Sequence, residues 1–186
     1  RLGDGSTLAA DLVVIGVGVI PATELAEQAG LELDNGIVVD EYARTSDPDI
    51  VAAGDCTSHY NPIYQRHLRL ESVQNATDQA KVAANTLCGK LEAYHALPWF
   101  WSDQYDLKLQ IAGLSQGYDR VVLRGSSDVG RSFAAFYFHG ERLLAVDAIN
   151  RPREFMLARK ALAAGQSADP ELLADDNADP KQAFIN

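Results

Sequence analysis

The stretch TSDPDIVAAGDC, Thr45–Cys56, decides how the chain is read. A turn-rich opening, Thr45–Asp49, runs into the short apolar segment Ile50–Ala53, after which Gly54 removes the side chain and Asp55 sets a carboxylate. The apolar segment reads as a short buried strand, and the C-terminal ends of parallel strands open the crevice in which α/β sheets bind ligands. Gly54 admits close approach of a ligand chain. An ionised Asp55, an acceptor only, suits sugar or polyol hydroxyl donors. An Asx turn that caps the next segment uses the same residues equally well, so the pair alone leaves both readings open.

Upstream, the apolar run Leu12–Ile15 in DLVVIGVGVIP reads as a strand buried on both faces, as in a parallel sheet. ATELAEQAGL follows as a helix with Leu25, Ala26 and Ala29 on one face and Gly30 as its stop, and GIVVD is another short strand. Gly16–Pro21, GVGVIP, gives GxG without the third glycine, because Pro21 stands in its place; it is not a pyrophosphate loop. Downstream, residues 57–70 read as an irregular connection. A long helix starts at Ser72, a good N-cap, and stops at Gly89, with Val73, Ala76, Ala80, Ala83, Ala84 and Leu87 recurring at helical spacing.

The texture changes after Pro98. LKLQIAGL alternates as a half-buried strand, DRVVLRG is a second, and SFAAFYFHGERLLAVDAIN is a hairpin turning near His139–Gly140. RPREFMLARKALAAG is a helix with Pro152 in its first turn and Gly165 at its end. Residues 98–165 thus read as a small antiparallel sheet plus a helix, and the acidic tail from Gln166 as an arm. The fold class is α/β followed by α+β.

A net charge of -10 argues against nucleic-acid binding, which relies on Lys and Arg clusters. No apolar run approaches the roughly 20 residues of a membrane span. The N-terminal RLGDGSTLAAD has no signal-peptide pattern and no initiator Met, and reads as part of a longer protein. Cys56 and Cys88 form no CxxC and read as reduced, structural thiols of a cytoplasmic protein. His59, His67, His95 and His139 show no metal-ligand spacing, and no residue is assigned a catalytic or metal role. Arg151, Arg153, Arg159 and Lys160 gather on and before the last helix, as a solvated helix face or as a patch that steers an acidic partner.

TSDPDIVAAGDC resembles the second FAD-binding motif of two-dinucleotide-binding-domain flavoprotein reductases. With VVIGVGVIPATELAEQAGL before it and ESVQNATDQAKVAANTLCGK and PWFWSDQYDLKLQIAGL after it, the chain resembles the FAD-dependent NAD(P)H:ferredoxin and rubredoxin reductases that serve oxygenase systems, of putidaredoxin, rhodocoxin and biphenyl-dioxygenase type. The similarity runs from Asp11 to about Gly165. It implies the end of an NAD-binding domain at 1–20, the closing segment of an FAD-binding domain at 21–96 and a C-terminal reductase domain with an acidic tail at 97–186.

The resemblance also implies roles. Gly54 and Asp55 hold a ribityl hydroxyl of FAD. Ser72, Val73 and Gln74 set the positive end of the long helix against the flavin pyrimidine edge, and Glu71 lies near the flavin and the nicotinamide. Trp101, and less directly Trp99, closes the isoalloxazine. Read without the resemblance, these residues are an ordinary capped helix end and a domain-junction aromatic cluster. The donor is NADH or NADPH, and the acceptor is a [2Fe–2S] ferredoxin or a rubredoxin; a homodimer is left open. The missing C-terminal His-Pro with a following Glu argues for electron relay rather than dithiol chemistry. The 186 residues alone are expected to be inactive. The alternative is a non-catalytic dimerisation or docking module without flavin.

Overall fold

Two sheets divide the chain between them. The computed structural model describes residues 1–184. After the short helix α1, Glu24–Gln28, comes a three-stranded sheet of β1 (Ile37–Val39), β2 (Thr57–Asn61) and β3 (Arg66–Leu68), in that order. β1 runs parallel to β2 with Ile37 opposite Thr57, and β2 pairs antiparallel with β3. Helix α2, Val73–Leu87, follows.

This half departs from the sequence reading at several places. Residues 57–70 are not irregular but form the β2–β3 hairpin. The buried residues of β2, Thr57, Ser58, His59 and Asn61, are polar, so no apolar alternation announces the strand. Ile50–Ala53 is not a strand: it makes one bridge, Val51 to Arg44, and the Ala52 N–H donates to the Ala43 carbonyl. Gly54–Asp55 therefore forms the turn into the N-terminal end of β2, closed by the Thr57 N–H on the Gly54 carbonyl, and does not sit at a strand's C-terminal end. Leu12–Ile15 is coil, unpaired and exposed, with Val14 at 87%. No strand among the described residues lies beside it, and unpaired backbone forms no sheet. In α1 Ala26 is buried as expected, while Leu25 faces outward.

A further difference concerns α2. Its ends are those expected: the Ser72 Oγ accepts the Asn75 N–H at 3.1 Å, and Gly89 takes a positive φ of 75° just past the helix. Its buried side, however, carries Gln74, Asn75 and Gln79 beside Ala83, while Val73 and Leu87 are exposed. Of the stripe read as apolar, Ala83 is buried and Ala76 half-buried, while Val73, Ala80, Ala84 and Leu87 are exposed. Polar side chains are buried here because they satisfy one another and the turn before β2.

The second half is a five-stranded antiparallel sheet of β4 (Trp99–Gln104), β5 (Leu107–Gly113), β6 (Arg120–Gly125), β7 (Phe133–His139) and β8 (Arg142–Ile149), in the order β4-β5-β8-β7-β6. Alternate residues of β7 and β8, among them Phe136, Phe138 and Val146, pack under α3 (Pro152–Ala163) through Phe155, Ala158 and Leu162. The tail is not an arm. Helix α4 (Pro170–Ala174) and a closing 3-10 turn (Pro180–Phe184) lie against β6 and α3, with Leu173 and Ala183 in the core. They are fastened by Arg124 of β6, whose guanidinium donates to the carbonyls of Leu172, Leu173, Asp175, Asp176 and Ala178 and pairs with Glu154 at 3.2 Å.

Candidate functional site

The N-terminus of α2 faces the aromatic strand β4. Glu71, Ser72 and Val73 line one side of a shallow cleft of about 170 Å3, and Phe100 and Trp101 line the other. Ser72 caps the helix with its side chain, while the N–H groups of Val73 and Gln74 fall in the first turn, where no intrahelical acceptor exists. The cleft thus joins unspent donors at the positive end of a fifteen-residue helix to a flat indole wall. Gln74 does not enter it. It is buried, its Nε2 donates to Asp78 at 2.8 Å, and its Oε1 accepts the Trp99 N–H at 3.3 Å. Gln74 pins β4 to the helix.

Trp99 and Trp101 stand on the same side of β4, stacked at 5.4 Å between ring centroids and 29° between planes. Trp101 is about half exposed. Trp99 lies further in, against Phe155 and under the Arg159 guanidinium, which sits 4.4 Å from the ring centroid. Arg159 is therefore committed to holding an aromatic rather than free to steer a partner. Its neighbours are committed too: Arg151 pairs with Glu154 and Asp176, and Arg153 with Asp179. Lys160 shows no ion pair among the described residues, and Arg159 has the Trp99 ring in place of one. Arg159→Ala is expected to cost about 0.5–1 kcal/mol in a denaturant melt and to alter tryptophan emission. Arg159→Lys keeps the charge but loses the planar stack, and should restore only part of either.

Gly54 and Asp55 lie apart from the cleft and are linked to it through Arg69. Gly54 is buried with φ +89°, and a Cβ there would meet the Ala76 Cβ at an ordinary 3.6 Å. Backbone conformation, not room for a ligand, is what demands glycine. Its N–H donates to Gln79 Oε1 at 2.8 Å. Asp55 is exposed, and its carboxylate has no hydrogen-bond or ion-pair partner among the described residues. Arg69 donates to the Asp55 carbonyl at 3.3 Å and to Glu71 Oε1 at 2.7 Å, so it spans from the turn to the cleft. Arg69 was not among the expected site residues. Its signal was its place two residues before Glu71, which in extended chain puts both side chains on one side.

The remaining candidates separate. Cys56 is half-buried with its Sγ 3.8 Å from the Ala53 carbonyl, and Cys88 is exposed at the end of α2. No group of three or more His, Cys, Asp or Glu among the described residues is placed to hold a metal ion. No helix of the described residues is long and apolar enough to cross a membrane. Gly16–Pro21 is coil, exposed up to Ile20 and half-buried at Pro21.

Comparison with known proteins accounts for the joining of these two halves. The pyridine nucleotide-disulphide oxidoreductase family model matches residues 1–80 and the reductase C-terminal family model matches 99–184. Rhodocoxin reductase of Rhodococcus erythropolis is 51% identical over 97% of the chain, and putidaredoxin reductase of Pseudomonas putida 48% over 96%. The crystal structure of a covalent putidaredoxin reductase–putidaredoxin complex superposes with a TM-score of 0.87 at 48% identity, covering 94% of this chain and 42% of the reductase. The chain spans about 42% of the length of both curated relatives. With the two family models following each other along it, and with identity near one half over nearly all its residues, the chain is similar to part of the ferredoxin reductases of putidaredoxin and rhodocoxin reductase type.

Proposed function

We propose that the chain is the C-terminal portion of a flavoprotein reductase that moves electrons from NADH or NADPH through FAD to a [2Fe–2S] ferredoxin or a rubredoxin. The observation that carries this reading is the cleft in which the N-terminus of α2 meets Trp101. Segments some thirty residues apart converge there on a site with hydrogen-bond donors on one wall and a rigid π-surface on the other. In this reading residues 1–20 close a nucleotide domain, 21–96 close the FAD domain, and 97–186 form the domain behind the flavin.

The residues fit such a group. FAD, when bound, takes two electrons and releases them singly. The unsatisfied N–H groups of Val73 and Gln74 and the positive helix end favour a partner that gains negative charge, which raises its reduction potential. The Asp55 carboxylate, free of protein partners, accepts from hydroxyl donors. Glu71 is held in place by Arg69. The indole of Trp101, backed by Trp99 and Arg159, excludes water from one side and offers an aromatic surface toward an acceptor protein. A [2Fe–2S] acceptor is favoured by the relative solved in complex with putidaredoxin. The test is NAD(P)H-dependent reduction of a ferredoxin by the reductase containing this chain, loaded with FAD. No reduction of any ferredoxin or artificial acceptor would reject the reading.

A second reading, a docking or dimerisation module without flavin, draws on the cleft's size. About 170 Å3 is well below the roughly 300–1,000 Å3 of pockets that enclose a ligand. The 186-residue chain purified by itself is accordingly expected to be colourless or nearly so. Strong flavin absorption in that preparation would show that these residues grip the cofactor unaided.

A further inference from the structure

Gln79 is 1% exposed, and every polar atom of its amide is engaged. Its Oε1 accepts the Gly54 N–H at 2.8 Å and lies 3.3 Å from Asn75 Nδ2 and 2.8 Å from Thr57 Oγ1. Its Nε2 lies 3.2 Å from Nδ1 of His59. The surroundings fix which end of the amide points where. Asn75 gives Nδ2 to the Leu70 carbonyl and takes the Tyr94 hydroxyl on Oδ1, so the edge it turns to Gln79 is a donor. The Gly54 N–H is a donor as well. Two donors require the Gln79 oxygen on that side, which leaves its NH2 for His59. That NH2 can donate only to an unprotonated Nδ1, so the ring's single proton sits on Nε2. Nε2 is buried and has no hydrogen-bond partner.

We propose that Gln79 is a positioning residue that locks the Gly54–Asp55 turn onto α2, and that the lock holds only while His59 is neutral and protonated at Nε2. A doubly protonated ring sets an N–H against the Gln79 NH2. Turning the amide over relieves that clash but sets the NH2 against the Gly54 N–H and Asn75 Nδ2. One proton on a buried ring is thereby felt at the backbone that presents Asp55.

Tyr94, edge-on at 5.2 Å from the segment after α2, faces the ring, and His67 of β3, opposite Tyr60 on the other face of the sheet, acts on it through charge. Burial pushes the Tyr94 hydroxyl up to about 12, so it stays neutral. His67 can only add positive charge. Burial, with His67 second, pulls His59 down from 6.5 to about 4. Between those two values the unfolded chain binds a proton that the folded chain refuses, so acidification through that window weakens the fold.

The test uses the chain with isotope-labelled histidine and glycine, read by NMR. At neutral pH His59 should show Nδ1 unprotonated and Nε2 protonated; the opposite tautomer overturns the lock. Gln79→Glu keeps an acceptor for Gly54 and gives Nδ1–H an anion, so the His59 pKa should rise by about 1–3 units with the Gly54 amide little changed. An unmoved pKa overturns the proposal. Gln79→Met should speed Gly54 amide exchange at least about tenfold, while the Gly113 amide, bonded to the Pro98 carbonyl, keeps its rate; unchanged Gly54 exchange counts against the lock. Should the Met variant not fold, the tautomer and the Glu variant decide. The lock's consequence for FAD rests on the proposed role of Asp55. None of these readouts needs flavin, so the lock and that role stand or fall separately.

Discussion

Arg124→Met is expected to destabilise the protein by about 3–5 kcal/mol, the range for removing one partner of a buried charge pair. The Arg124 side chain is 3% exposed and Glu154 7%. The guanidinium also serves five backbone carbonyls of the tail, with contacts as short as 2.6 Å to Asp175 and Ala178. Methionine fills the space but leaves those carbonyls and Glu154 short of donors. Arg151, 3.1 Å from Glu154, remains and holds the loss toward the low end. For a domain of this size the midpoint of thermal unfolding should fall by about 10 °C or more, and limited proteolysis after Gln166 should accelerate. Adding Glu154→Leu removes the stranded carboxylate and should recover part of the loss. A shift below about 1 kcal/mol with an equally protected tail would mean that the core contacts of Leu173 and Ala183, not Arg124, fasten α4.

The same residue shows where sequence reading runs out. β5 to β8 were legible as strands because alternation such as that of Leu107, Leu109 and Ile111 has the period of the pleat, although on β5 it is Ala112, on the other face, that enters the core. The ends of α2 were legible because Ser72 and Gly89 are local signals that act within one turn. The tail was not, because its anchor is a buried Arg bound to backbone carbonyls, and carbonyls carry no side-chain signature. β2 and the inner face of α2 were hidden for a related reason. Thr57, His59, Asn75 and Gln79 are buried by mutual hydrogen bonding, which has no apolar period. The candidate site was legible in part. Glu71, Ser72, Val73 and Trp101 converge on one cleft. Gly54 and Gln74 turn inward to hold structure, and Arg69 lay unseen in a stretch read as irregular.

In the FAD-loaded reductase containing this chain, Asp55→Ala is expected to weaken FAD retention by about 10–150-fold. This is the equivalent of losing one hydrogen bond to a charged acceptor, about 1.5–3 kcal/mol. The fold should scarcely notice. Asp55 is exposed, and its carboxylate makes no bond to the described residues, so the substitution belongs with surface changes worth within about 0.5 kcal/mol. That separation makes the experiment decisive, because a loss of flavin cannot be blamed on unfolding. Asp55→Asn keeps one accepting oxygen without the charge and should fall between the two. A fluorescence titration of apoprotein with FAD, beside a denaturant melt of each variant, reads both quantities. Equal FAD affinity in wild type and Asp55→Ala would leave Asp55 as a solvent-facing residue of the turn before β2. The flavin reading would then rest on the α2 terminus and Trp101 alone, where Trp101→Ala should lower affinity by removing the flat wall while Glu71 and Ser72 keep their places.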